Sequence, residues 1–233
     1  MNLKISILFL LLWVCCFNGQ LLAQADYTLN SKYRSLEEAK DYFVLRDSIY
    51  LYQAPSFRAI QLESIRLGAT LKIEERLDEL ATRNGLRTNW YRVSYQKDNK
   101  TIQGFVWGGL IAFQAVNSVE NPSIRFICGI ESIQIVSRGS YSEQVIYLKV
   151  VVLKQQKILD SISIEAIGSL YTNASLKPYG NRGLFSIQDV VELNFSDGYC
   201  GGVSASITFF WDGIRLHYID LLSNGYSTTS FHN

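Results

Sequence analysis

Histidine, proline and methionine are all scarce in this chain: two, three and one among 233 residues. So few prolines exclude a polyproline spacer or a proline-rich disordered tract. The two histidines, His217 and His232, lie too far from each other and from the cysteines to give the ligand spacing of a zinc site. Charge is thin as well. Asp, Glu, Lys and Arg make up 18% of the chain, with 22 basic residues against 21 acidic. Binding along a phosphate backbone needs a surplus of Lys and Arg, so this balance argues against a nucleic-acid partner. Asp189, Asp197, Asp212 and Asp220 are not spaced as a calcium loop, and most of them read as turn residues. There is no glycine-rich phosphate loop and no nucleophilic-serine elbow, and Gly201-Gly202 alone carries little. The expectation is a protein without metal or cofactor.

What is present begins with a leader. Lys4 supplies a positive charge, Ile5 to Phe17 is an apolar run short for a membrane span, and Ala23-Gln24-Ala25 offers the small-x-small pattern of signal cleavage before Asp26. Residues 1–25 are thus expected to be a signal peptide and the protein to be exported, periplasmic or secreted. Lipidation at Cys15 or Cys16 is the less favoured processing, because Val14 or Cys15 stands where a small residue is usual. Loss of the leader removes Lys4 and no acid, which leaves the remainder neutral. No later apolar run reaches eighteen residues, since Lys149 interrupts Val145 to Leu153; no membrane span is expected after cleavage.

Aromatic residues, at 13%, and period-two alternation point to an all-β protein. Residues 26–41 are a polar lead-in with a capping-box pattern, Ser35 to Glu38, that predicts a short helix. Val44, Ile49 and Leu51 begin strand-like spacing, which Ala54-Pro55-Ser56 breaks. Thr70 to Glu74 alternates. Glu74 to Gly85 carries helix-forming residues with Leu77 and Leu80 three apart, and reads as a lengthened loop with one helical turn ending at Asn84-Gly85. Trp90 to Tyr95 and Thr101 to Val106 alternate about the polar turn Lys97-Asp98-Asn99-Lys100, which predicts a hairpin. Tyr91, Val93 and Tyr95 share one face of the first of these strands and Trp90 the other.

The order of these pieces resembles the bacterial SH3 (SH3b) family over residues 42–114. The closest correspondence is Trp90-Tyr91-Arg92-Val93, the turn, and Gly104-Phe105-Val106, where Phe105 stands for the family's usual tryptophan. The resemblance implies a small closed barrel of five short strands that acts as a binding module. In such barrels aromatic side chains line the ligand groove. Tyr50, Tyr52, Trp90 and Trp107 are therefore the candidate ligand-binding residues, with Trp90 expected to be at least partly exposed. The partner it implies is a cell-wall peptide or an envelope protein.

Residues 115–123, containing Asn121-Pro122, read as a linker, and residues 124–233 as a second antiparallel β domain, a sandwich or partly open barrel. Seven strands are expected there: Ser132 to Val136, Gln144 to Leu153, Ile158 to Ala166, a weak one at Leu184 to Ile187, Val190 to Phe195, Ser204 to Trp211 and Ile214 to Leu221. Asp212-Gly213 marks the strongest hairpin, Asp197-Gly198 and Asn224-Gly225 mark further turns, and residues 168–183 read as a long loop. Cys128 and Cys200, the cysteines left after cleavage, are a candidate disulfide in an oxidising compartment. A Cys–His peptidase is the alternative function, but Cys200 lies among glycines and His217 within a strand, which disfavours it. A structural or inhibitory envelope protein is the third possibility.

Overall fold

The computed structural model describes residues 36–139, 141–166, 173–196, 204–221 and 231–232. The leader, Ser35, Cys200 and the turns at Asp197-Gly198 and Asn224-Gly225 lie outside these, so the expected processing and disulfide have no structural counterpart here. Among the described residues, fifteen strands form three antiparallel sheets.

The first sheet is built from β1 (Asp41–Phe43), β2 (Ile49–Tyr52), β3 (Gln61–Ile65), β4 (Thr70–Arg83), β5 (Leu86–Lys97) and β6 (Lys100–Trp107), in the order β1-β4-β5-β6-β2-β3. Two connections curl it. Tyr52 pairs with Phe105, and after a single 3-10 turn at Gly108–Leu110 the chain returns to its start through the bridge Val44–Ile111. The amide of Leu45 donates to the Leu110 carbonyl at 2.9 Å, and that of Ala112 to Phe43 at 2.8 Å. The expected β5–β6 hairpin is present: Lys97 pairs with Lys100 around Asp98 and Asn99, both left-handed. That is the mirror-image turn whose twist matches its strands.

Two local expectations are corrected. Residues 36–40 form a turn instead of a helix. Glu38 spends its carboxylate on the Arg76 amide of β4 at 3.3 Å rather than on a helix cap, and Leu36, buried, hangs its amide on the Tyr91 hydroxyl at 3.3 Å. The predicted helical turn over Glu74 to Gly85 is the outer half of β4. Asn84-Gly85 is left-handed at φ 52° and 72° and joins β4 to β5 in a two-residue hairpin, Arg83 pairing with Leu86. Tertiary contacts override the helical propensity here. Asn89 Nδ2 donates to Leu77 O at 2.7 Å, Trp107 Nε1 to Ala81 O at 3.0 Å, and the Ile133 amide to Asn84 O at 2.9 Å.

The second sheet, order β10-β9-β8-β7, contains β7 (Gln114–Asn117), β8 (Ile124–Arg138), β9 (Tyr141–Lys154) and β10 (Lys157–Ala166). Where a linker over 115–123 is expected, β7 pairs with β8 from Gln114↔Cys128 to Asn117↔Arg125, so the chain enters the second half as a strand. The third sheet, order β11-β12-β13-β14-β15, contains β11 (Asn173–Pro178), β12 (Asp189–Ser196), β13 (Ser204–Trp211), β14 (Leu216–Leu221) and β15 (Phe231–His232). β11 occupies part of the predicted loop. Leu184 to Ile187, a predicted weak strand, is a pair of turns.

β8 and β9 explain the long apolar runs. Phe126, Cys128, Leu148, Val150 and Val152 belong to one buried cluster with Val191, Leu193, Ile207, Phe209 and Trp211 of the third sheet. Ile127, Val151 and Leu153 face the other way, onto Leu45, Leu67 and Ala112 in the connections of the N-terminal half. A strand covered on both faces reads as continuous rather than alternating hydrophobicity. The halves expected as barrel and sandwich thus share the β8–β9 sheet as a common layer.

The β9–β10 turn suggests a stabilising change. Gln155 and Gln156 are both left-handed, φ 49° and 64°, a conformation that costs a glutamine more than an asparagine or glycine. Replacing the pair by Asn-Gly should raise stability by about 1 kcal/mol in urea unfolding; no gain would mean that the turn relaxes without strain.

Candidate functional site

Strand alternation places Trp90 and Tyr91 on opposite faces of β5, as expected, but the structure covers both. Tyr91 is buried against Leu36, and its burial pushes the phenol above its ordinary pKa. Trp90 is 1% exposed, not partly open, and Trp107, its partner in the ladder, is also 1% exposed. The loop between β2 and β3 lays Phe57 over them, with ring centroids 4.9 Å from Trp90 and 5.7 Å from Trp107. Tyr52 closes the box edge-on to Trp90 at 5.7 Å. Arg83, on the outer end of β4, stacks over Phe57 at 5.4 Å. Both tryptophans are therefore core, and the expected aromatic groove is filled by the chain's own Phe57.

Tyr52 is buried in the same core, against the expectation for a ligand contact, whereas Tyr50 is only half-buried. Both line an open cleft of about 290 Å³ together with Arg46, Asp47, Ser48, Ile49, Gln61, Arg83, Asn84 and Leu110. Ile49 and Leu110 are buried and give the cleft apolar support. Arg46, half-buried, follows directly on Leu45, which is locked into the core. Its Nε is shut off from solvent and has no hydrogen-bond partner among the described residues. Burial pulls this guanidinium below its ordinary pKa; the Glu131 charge opposes the shift and the Arg83 charge adds to it. Arg83 is exposed and reaches the cleft only because β4 runs on to the Asn84-Gly85 turn. Neither arginine was singled out from sequence. They stand far apart in the chain, and no local pattern announces that they meet.

The remaining candidates are structural. Cys128 is fully buried in the middle of β8. His217 Nε2 sits 3.0 Å from Asp212 Oδ2 at the β13–β14 hairpin. Asp212 Oδ1 also accepts from the amides of Ile214 and Arg215, at 2.7 and 2.6 Å. Desolvation raises the Asp212 pKa, but these bonds outweigh it and hold the carboxyl below its usual range. This is a turn motif, as the Asp212-Gly213 pair predicts. Asp189 is no turn residue: fully buried, it accepts from the Val119 amide at 2.8 Å and the Gly180 amide at 2.9 Å. Among the described residues no three His, Cys, Asp or Glu side chains are grouped to hold a metal ion, and no helix is long and apolar enough to cross a membrane.

No protein-family model, curated protein or solved structure matches the chain.

Proposed function

We propose that the protein is an exported, non-catalytic binding protein of the cell envelope, whose SH3b-like N-terminal module holds a cell-wall peptide or a protein partner. The observation that carries this reading is the cleft beside Tyr50 and Tyr52. It joins two tyrosines and the apolar side chains of Ile49 and Leu110 to two guanidinium groups that form no ion pair among the described residues. That combination suits a polar chain segment with intermittent apolar atoms. The β4-β5-β6 meander, the 3-10 turn after it and the return of Ile111 to Val44 support the small-barrel resemblance. Lys4, the apolar run after it and Ala23-Gln24-Ala25 support export.

Retention on purified cell-wall material from the native host tests the proposal. Tyr50→Ala should keep the parent melting temperature, because Tyr50 is only half-buried. It should lose roughly thirtyfold in affinity, the scale of an anchor worth about 2 kcal/mol. Unchanged retention would move the binding surface elsewhere, and a parent protein that is not retained would remove the wall from the candidates.

A further inference from the structure

The chemistry of the cleft narrows what it can take. Arg46 lines the cleft, and its buried Nε–H has no hydrogen-bond partner among the described residues, a state that costs free energy. Arg83, the second guanidinium of the cleft, rests on the Phe57 ring. A guanidinium carries N–H donors along its edge that match an oxygen pair. Two acids temper the field: Asp47 lines the cleft, and the charge of Glu131 reaches Arg46. Two cations against two anions leave the cleft without net charge, so an anion is attracted only at short range, by direct hydrogen bonds to the guanidinium groups. Tyr50, Ile49 and Leu110 add apolar lining, which suits the carbon skeleton next to a carboxylate. A second cleft, between Phe43, Pro122, Arg125 and Gln155, has a single arginine, which lies over the Phe43 ring with its Nε donating to Asn117 Oδ1 at 2.8 Å.

We infer that the Tyr50 cleft is a carboxylate subsite, which takes the free carboxylate of a peptide, at its C-terminus or on an acidic side chain, between Arg46 and Arg83. The inference rests on the reading above that a peptide or protein docks in this cleft, and it adds the group that is recognised. The carboxylate accepts from the guanidinium groups of Arg46 and Arg83 while the neighbouring carbon atoms pack on Tyr50.

The test is a titration of the purified protein followed through its arginine Nε–H resonances. The probes are N-acetyl-Ala-Ala as the free acid, the same dipeptide as its C-terminal amide, N-acetyl-glutamic acid amide, and inorganic phosphate. At least one of the two acids should shift the Arg46 and Arg83 signals and bind at least tenfold more tightly than the dipeptide amide. Which acid does so tells terminal from side-chain recognition. Arg83→Gln, at an exposed position, should keep the melting temperature and weaken the acid at least tenfold. Asp47→Asn should tighten it, since a competing carboxylate is gone. Binding of the acid should also weaken with added salt. Equal binding of acid and amide, a preference for phosphate, no effect of Arg83→Gln, or no binding of either acid would each overturn the inference. The wall-retention experiment reads independently. Retention that survives while acid and amide bind alike removes only the carboxylate, and acid binding without wall retention removes only the wall.

Discussion

Trp90→Ala is expected to lose about 3–5 kcal/mol of folding stability, the usual cost of truncating a buried tryptophan. For a chain of this length that is a fall in melting temperature of roughly 6–20 °C. The cost follows from what Trp90 touches. Tyr52, Phe57 and Trp107 all pack against its ring, and the indole of Trp107 in turn anchors the Ala81 carbonyl of β4. A cavity at Trp90 therefore loosens the β2–β3 loop and the long hairpin together. Calorimetry of the variant decides the matter, and Phe57→Ala is the informative companion. Phe57 is half-buried, so its removal should leave the protein folded at a smaller cost while the tryptophan emission moves to the red. A Trp90→Ala protein that melts with the parent would mean that the box is open in solution and that Trp90 belongs to a binding surface after all.

Gly85→Val is expected to cost about 3 kcal/mol or more, read as a lower urea midpoint with an unchanged slope. Two effects add. Gly85 has φ +72°, which a β-branched residue adopts only with strain. A Cβ there would also overlap the carbonyl oxygen of Ile133 on β8. That backbone cannot step aside, because the Ile133 amide is bonded to Asn84 O in the same turn. The hairpin tip must lift away from the second sheet. Gly183→Ala separates the two effects: its φ is +76° but nothing lies within 4 Å of the added atom, so only the backbone strain, about 1 kcal/mol, should appear. Equal losses at both positions would show that the contact with β8 carries no energy.

Hairpins closed by local chemistry were legible in the sequence. Asp98-Asn99 and Asp212-Gly213 mark their turns, and β13 runs from Ser204 to Trp211 as its alternation predicts. Elements defined by distant partners were not. Gln114–Asn117 is a strand because β8 offers it an edge, and Glu74 to Arg83 is extended because Asn89 and Trp107 hold the Leu77 and Ala81 carbonyls while Ile133 holds that of Asn84 in the turn beyond. The site was half legible for the same reason. Strand periodicity put Tyr50 and Tyr52 on one face and Trp90 opposite Tyr91. It held no information about Phe57, which arrives from a loop and turns one presumed surface into interior. Arg46 and Arg83 carry no signal short of the folded hairpin.

The β8–β9 sheet, covered on one side by Leu45, Leu67 and Ala112 and on the other by Phe209 and Trp211, bears on how such a protein can be inherited and recombined. A binding module on a flexible tether can be copied as a cassette and joined to new neighbours. This one carries its neighbour's inner wall as part of its own support, so a gene boundary drawn after Ala112 would leave Leu45 and Leu67 facing water. Each side chain on that shared layer must suit two companions at once, and the two halves are bound to vary together.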